Sequence, residues 1–278
     1  MIEKVKMHTV TPEGVQWRDD VVAREEPLEI RVAFGAGAAQ HRQSLAVTMR
    51  TPGQDADLAL GFLFTEGIIA TPDQVLQIRQ VDADTLLATL QPGVEVDMAR
   101  LTRHLFTSSS CGVCGKASLD AVQTVACHYP VPGSPQIPAA ILYSLPERLR
   151  SAQATFELTG GLHAAALFDV EGRLLLLRED IGRHNAVDKV IGAALAQKMA
   201  LPFRDLMLMV SGRAGFELVQ KATMAGLPML AAVGAPSSLS VELAEAGGLT
   251  LVGFLRGERF NVYTHPERII GPAMKSAD

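Results

Sequence analysis

The architecture of this chain can be predicted from residues 206–238, which read LMLMV SGRAGFELVQKATMAG LPMLAAV GAPSS. Two short apolar runs, residues 206–210 and 229–233, have the length and composition of buried strands. The residues between them predict a helix over 216–225, which Gly226 and Pro228 end. A strand, a helix and a second strand in this order indicate an α/β sheet with parallel crossovers.

The same alternation of strands and helices extends outward from this stretch and begins at Gly160. The further predicted elements are a β-hairpin over 162–168 and 174–178, helices over 184–198 and 238–246, and a strand over 249–254. We therefore predict one α/β domain over residues 116–278.

The first part of the chain has a different character, that of a small α+β domain over residues 1–115. The predicted elements there are strands over 28–34 and 41–49, a helix over 56–66, and short strands near 78 and over 86–90. Further on, Ser144-Leu145-Pro146-Glu147 predicts a helix start, with Ser144 at the cap.

The composition narrows the function classes. A formal net charge of −5 argues against a general nucleic-acid or membrane-surface binder. The first ten residues lack the apolar core of a signal peptide, and we expect a cytoplasmic protein. Three cysteines in 278 residues do not make a disulfide framework, so we expect reduced thiols.

The cysteine pair in Cys111-Gly112-Val113-Cys114 is the strongest chemical signal. Lys116 and a predicted helix start would favour the reactive thiolate form of these residues. Such a thiolate could accept the outer sulfur of a persulfide, and the second thiol could help to expel it. Three alternatives stay open: half of a zinc site completed by Cys127 and His128, a redox pair, or two idle surface thiols.

A second signal lies in three turns that each join a predicted strand to a helix, at residues 180–185, 210–215 and 233–238. Backbone N–H groups at such helix starts can bind anions, and in open α/β sheets these turns gather at the carboxyl edge. The candidate ligand-binding residues are Arg183, His184, Ser211, Gly212 and Arg213. For any one turn, a capped helix with a solvated arginine is the simpler interpretation. His163, alone in a strand, is expected to be a core residue.

Several long motifs, in order along nearly the whole chain, resemble the FdhD family of accessory proteins for formate dehydrogenase. They are MRTPG (49–53), ALGFLFTEGII (59–69), CGVC (111–114), DIGRHNAVDK (180–189), SGRA (211–214), LVGF (251–254) and YTHPER (263–268).

The resemblance implies sulfur transfer. Family members receive sulfur from a cysteine desulfurase as a persulfide and pass it to the molybdenum bis(molybdopterin guanine dinucleotide) cofactor before it enters formate dehydrogenase. The family's persulfide cysteine matches Cys111 and its partner matches Cys114, whereas Cys127 has no assigned role. The family's cofactor-binding stretch matches Phe254, Leu255, Arg256, Gly257, Glu258 and Arg259.

The family is also similar in fold to cytidine deaminases, which implies a deaminase-like fold for the C-terminal domain. Deaminases hold zinc with an H-x-E and a P-C-x-x-C motif. The matching positions here are His184-Asn185-Ala186 and the stretch 211–214, so the general acid/base and both cysteine ligands are missing. We therefore expect no intrinsic metal. A cofactor chaperone with structural thiols and a zinc-dependent hydrolase remain the alternatives, and a homodimer is possible.

Overall fold

The protein is described from a computed structural model, and the structure describes residues 1–35, 41–94, 96 and 130–271. The α-helices in these ranges are α1 (Asp55–Thr65), α2 (Ala139–Ala152), α3 (Ala154–Thr159), α4 (Arg183–Ala196), α5 (Phe216–Met224) and α6 (Ser238–Ala246). The strands are β1 (Ile2–Thr11), β2 (Gly14–Ala23), β3 (Glu26–Phe34), β4 (His41–Arg50), β5 (Val75–Asp82), β6 (Thr85–Leu90), β7 (Ile137–Pro138), β8 (His163–Asp169), β9 (Leu174–Asp180), β10 (Leu206–Val210), β11 (Met229–Ala232), β12 (Thr250–Arg256), β13 (Arg259–Val262) and β14 (Ile269–Ile270).

A six-stranded sheet with the order β13-β12-β11-β10-β8-β9 carries the part of the chain after residue 160. Strands β10, β11 and β12 pair in parallel, and β8 is antiparallel to both β10 and β9. Strand β9 therefore runs in the same direction as β10. The carboxyl ends of β9, β10, β11 and β12 consequently lie on one edge, which we call the carboxyl edge. The predicted α/β sheet with parallel crossovers is confirmed.

The sheet is buried on both faces, as its apolar strands predict. Met207 and Met209 of β10 belong to the same buried cluster as Leu142 of α2. Leu208 and Val210 belong instead to the cluster that contains α4 and α5. Because successive side chains of a strand point to opposite faces, β10 separates two layers of helices.

A four-stranded sheet with the order β4-β3-β6-β5 lies before residue 91. Its buried residues, including Leu28, Ile30 and Leu86, share one hydrophobic cluster with α1 and α4. The two predicted domains are therefore joined by a common core where they are described. Their predicted boundary between residues 115 and 116 lies outside the described residues, and the division stays a prediction.

Helices α1 and α4 cross with their backbones in direct contact, and glycine makes this approach possible. A Cβ atom on Gly61 would lie 1.9 Å from the carbonyl oxygen of Asp188, and one on Gly192 would lie 1.9 Å from that of Asp57. No real side chain fits at such distances. These two glycines therefore fix how closely the first part of the chain packs on the α/β part.

The predicted start of a helix at Ser144 is wrong, because α2 begins at Ala139. Residue Ile137 is extended and pairs with Ile269 of β14, and the helix starts directly after Pro138. Ser144 lies inside the helix, where its hydroxyl donates a 2.8 Å hydrogen bond to the carbonyl of Ile141. Pro146 is likewise inside the helix, although proline there removes a backbone hydrogen bond.

Strands β1 and β2 form a long hairpin that the sequence analysis did not predict. All ten residues of each strand pair, from Ile2 with Ala23 to Thr11 with Gly14. Most of the hairpin is exposed, including 70% of Trp17. Among the described residues, no helix has the length and apolar character needed to cross a membrane.

Candidate functional site

The predicted ligand-binding turns come together at the carboxyl edge of the six-stranded sheet. Turns 180–185, 210–215 and 233–238 follow β9, β10 and β11, and the stretch 254–259 continues from β12 into β13. Strand β8 is antiparallel to its neighbours, so its first residue, His163, also lies at this edge, paired with Asp180. The convergence of the turns is confirmed, whereas the binding role of their residues stays a prediction.

A series of backbone hydrogen bonds joins the ends of β10, β11 and β12. The N–H of Gly234 donates to the carbonyl of Gly212 at 2.9 Å, and the N–H of Phe254 donates to the carbonyl of Gly234 at 3.0 Å. A Cβ atom on Gly234 would lie 2.9 Å from the oxygen of Gly212 and 3.0 Å from the Cα of Arg213. Gly234 therefore allows neighbouring turns to approach until they form one continuous surface.

The turn after β9 is held by the buried carboxylate of Asp180. This carboxylate accepts hydrogen bonds from the backbone N–H of Gly182 (2.8 Å), the side chain of Asn185 (3.0 Å) and the backbone N–H of Thr51 (3.2 Å). It also pairs with the ammonium of Lys189 at 2.7 Å, with both side chains almost fully buried. Asp180 thus organises the turn and fixes it against the residues that follow β4.

Helix α4 begins with two of the predicted ligand-binding residues, Arg183 and His184. The Nε atom of Arg183 is buried and has no hydrogen-bond partner among the described residues. His184 Nε2 instead makes an ion-pair contact with the carboxylate of Glu217 at the start of α5. Glu217 would offset much of the positive charge of a protonated His184, so Arg183 is the more effective cation of this pair for an anionic ligand.

The turn after β10 contributes Ser211, Gly212 and Arg213. The hydroxyl of Ser211 accepts a 2.9 Å hydrogen bond from the backbone N–H of Ala164, which ties the turn to β8. Arg213 is exposed to solvent. In the third turn, the hydroxyl of Ser237 caps α6, as the simpler interpretation of these turns predicts.

His163 differs from the expected core histidine, because it is only partly buried and its ring lies against Gly212. A Cβ atom on that glycine would be 3.3 Å from Nδ1 of His163. Burial lowers the pKa of His163, and the positive charges of Arg183, His184 and Arg213 lower it further, while Asp180 opposes them. Sequence periodicity could not reveal this position, since it depends on the antiparallel direction of β8.

The stretch 254–259 makes the bend from β12 into β13 at the same edge. Phe254 has a left-handed φ of 54°, which is strained for a residue with a side chain, and Gly257 follows with a φ of 55°. The guanidinium of Arg256 lies 6.0 Å from the centre of the Phe254 ring. Leu255 is fully buried, so its side chain belongs to the core. Gly257, Glu258 and Arg259 are exposed.

The predicted reactive cysteines, Cys111 and Cys114, lie outside the described residues, and so does Cys127. Their predicted roles stay predictions. Within residues 1–35, 41–94, 96 and 130–271, no cluster of three histidine, cysteine or acidic side chains could hold a metal ion.

Four strands that run in one direction, helices on both faces of the sheet and a polar surface at its carboxyl edge define a mixed α/β protein. In open α/β sheets, ligands usually bind at this edge. The chain belongs to the FdhD/NarQ family, whose family model matches residues 23–270.

Relatives of similar length support the family assignment. The chain is 52% identical over 261 residues to the Sulfur carrier protein FdhD of Mycolicibacterium paratuberculosis, covering 91% of this chain and 93% of the relative. It is 49% identical over 278 residues to that of Streptomyces avermitilis, covering 96% and 95%. A crystal structure from Desulfotalea psychrophila, of a protein provisionally assigned as a formate dehydrogenase accessory protein, superposes with a TM-score of 0.74, 26% identity and coverage of 97% and 99%.

The deaminase-like character of the C-terminal part stays a prediction. A guanine deaminase from Nitrosomonas europaea aligns with a TM-score of 0.33 and 17% identity, over 49% of this chain and 84% of the deaminase. A TM-score of this size is too low to indicate a common fold.

Proposed function

We propose that this chain is a sulfur carrier that serves formate dehydrogenase. It accepts sulfur from a cysteine desulfurase as a persulfide on Cys111. It then transfers that sulfur to the molybdenum bis(molybdopterin guanine dinucleotide) cofactor, its substrate, before the cofactor enters the apo-enzyme. Two findings support this proposal. The chain belongs to the FdhD/NarQ family, and about half of its residues are identical to those of proteins named Sulfur carrier protein FdhD.

The structural observation that carries the proposal is the continuous surface at the carboxyl edge, where Arg183, Arg213 and the bend at 254–259 lie together. A guanine dinucleotide has two phosphates and an aromatic base. Arginines bind phosphate oxygens through charge-assisted hydrogen bonds, and the half-buried ring of Phe254 offers an apolar surface for a base. The whole chain has a net charge of −5, so these local cations must attract the ligand.

The sulfur transfer consists of two successive thiol exchange steps. In the first, the Cys111 thiolate attacks the outer sulfur of the desulfurase persulfide, and the desulfurase thiolate leaves. In the second, the Cys114 thiolate attacks the inner sulfur of the Cys111 persulfide. A disulfide forms between the two cysteines, and the outer sulfur leaves as sulfide to the cofactor. A dithiol reductant then restores both thiols.

The test is a labelling experiment with a purified desulfurase and ³⁵S-cysteine. We expect the parent chain to gain one labelled sulfur, which reducing agent removes, and Cys111→Ala to gain none. Cys127→Ala is the matched control, because this cysteine lies outside the CGVC motif, and it should be labelled as the parent is. Equal labelling of Cys111→Ala and the parent would overturn the assignment.

The chaperone alternative makes a different prediction for the same residue. If the cysteines are only structural, a strain that produces Cys111→Ser should still make active formate dehydrogenase. A sulfur carrier predicts that this strain has almost no formate dehydrogenase activity, although the variant still binds a guanine nucleotide. Binding and activity measured together therefore separate the two functions.

A further inference from the structure

His163 is a polar group at the carboxyl edge without a hydrogen-bond partner in the part of the chain that the structure describes. Its ring is partly buried against Gly212, and neither ring nitrogen makes a hydrogen bond with any of the described residues. Among the described residues, Arg183 Nε is also buried without a partner. Two neighbouring nitrogen groups with unused hydrogen-bonding capacity point to an acceptor that a ligand supplies.

The charges around His163 are arranged for an anion. Arg183 and His184 act on it from the start of α4, and Arg213 acts on it from the turn after β10. Two acidic groups of this edge, Asp180 and Glu217, are already paired, and a third, Glu258, is exposed to solvent in the bend at 254–259. Asp180 is bound by Lys189 and three other donors, and Glu217 is paired with His184.

We propose that His163 is a third phosphate-binding group of the carboxyl edge, acting together with Arg183 and Arg213, and that it takes up a proton when the phosphate binds. This inference rests on the proposed function, because it assumes that the guanine dinucleotide part of the substrate lies at this edge. It adds a residue outside all the motifs that carry the family resemblance.

The proton uptake follows from the change in local charge. Without a ligand, burial and the neighbouring cations lower the pKa of His163, which favours the neutral form of its ring. A bound pyrophosphate brings negative charge next to the ring and favours the imidazolium form. The complex then holds more protons than the free protein, so affinity is highest at low pH. Affinity falls as the pH rises through the pKa of His163 in the complex.

The experiment uses GDP-mannose as the probe. Both of its phosphates are esterified, so it lacks the ionisation near pH 6 of a terminal phosphate, and its charge stays constant. Calorimetric titrations of the full chain between about pH 6 and 8.5, in two phosphate-free buffers of different ionisation enthalpy, report affinity and proton uptake together. For the parent, we expect uptake of a fraction of a proton and an affinity that falls by roughly tenfold across this range.

His163→Gln keeps a hydrogen-bonding side chain but cannot take up a proton. We expect no proton uptake, a flat pH profile, and about tenfold weaker binding near pH 6 than the parent, as for the loss of one charge-assisted contact. His8→Gln, on the exposed β1–β2 hairpin, is the matched control and should behave as the parent does.

If the parent binds GDP-mannose but His163→Gln shows the same affinity, pH profile and proton uptake, the role of His163 is wrong and the proposed function stands. If the parent does not bind GDP-mannose under any condition, the nucleotide site of the proposed function fails and the inference fails with it. The labelling of Cys111 is independent of both results, so it tests the sulfur-carrier part of the proposed function separately.

Discussion

Replacement of Gly234 by alanine tests whether the turns at the carboxyl edge form one surface. The added Cβ would lie 2.9 Å from the oxygen of Gly212 and 3.0 Å from both the backbone nitrogen and the Cα of Arg213. All three atoms belong to the backbone and cannot rotate away. An ordinary contact needs about half an ångström more, so the turns after β10 and β11 must separate by about that distance.

This separation weakens two hydrogen bonds, from the N–H of Gly234 to Gly212 and from the N–H of Phe254 to Gly234. Each contributes about 1 kcal/mol, and overpacking of a tight site costs about 1–3 kcal/mol in total. We therefore expect the free energy of unfolding to fall by about 2 kcal/mol. The position of Arg213 should shift with its turn, and affinity for GDP should fall by about fivefold, equivalent to about 1 kcal/mol.

Denaturant unfolding and calorimetric titration with GDP measure the two effects. Gly215→Ala is the matched control on the same edge, because a Cβ there meets nothing within 4 Å and the backbone φ is −81°. Because Gly215 is the N-cap residue of α5, this change should lower the free energy of unfolding by at most about 1 kcal/mol and leave GDP binding unchanged. Unchanged stability and unchanged GDP affinity in Gly234→Ala would show that the turns are not coupled in this way.

Further predictions concern the ligand site, the helix crossing and a hairpin turn. Arg213→Ala and Arg256→Ala should each weaken GDP binding by about 1 kcal/mol or more, measured by titration. Gly192→Ala should lower the free energy of unfolding by about 3 kcal/mol or more, because its Cβ would overlap a carbonyl oxygen of α1. Asp169→Asn should lower the free energy of unfolding by about 1 kcal/mol at pH 7, measured by urea unfolding.

The effect at Asp169 should depend on pH with a defined sign. Burial alone would raise the pKa of Asp169, but hydrogen bonds from the backbone and side chain of Arg173 outweigh it and lower the pKa. A lowered carboxyl pKa stabilises the fold above the unfolded value of about 4. This stabilisation is lost as the pH falls, so the difference between Asp169→Asn and the parent should shrink in acid. A difference that grows in acid would contradict the assignment.

Two controls complete these predictions. Gly161→Ala is the control for Gly192→Ala, since its Cβ would meet only ordinary contacts at 3.8 Å, and it should change stability by less than about 1 kcal/mol. Arg18→Ala on the β1–β2 hairpin is the control for the two arginine variants. Equal GDP affinity in Arg18→Ala, Arg213→Ala and Arg256→Ala would remove the last two from the site.

Local patterns were sufficient to predict most elements of the α/β part. The strand over 206–210 and the helix over 238–246 agree with β10 and α6 at both ends. The start of α2 was missed because Ser144-Leu145-Pro146-Glu147 has the pattern of a helix start. The true start follows the strand pairing between Ile137 and Ile269, which lie 132 residues apart in the sequence. The β1–β2 hairpin was missed because its exposed strands lack the buried face that reveals a strand.

Residue identity along the chain was enough to indicate the class of fold, the turns that meet at the carboxyl edge and the family, because these depend on short-range periodicity, caps and motifs. The direction of β8, the contact between Gly61 and Asp188, and the joined ends of β10 to β12 depend on residues far apart in sequence. For this reason the place of His163 in the site, and the pairing of His184 with Glu217, emerged only when the chain was folded. Such contacts are set by packing and strand direction, which no local pattern records.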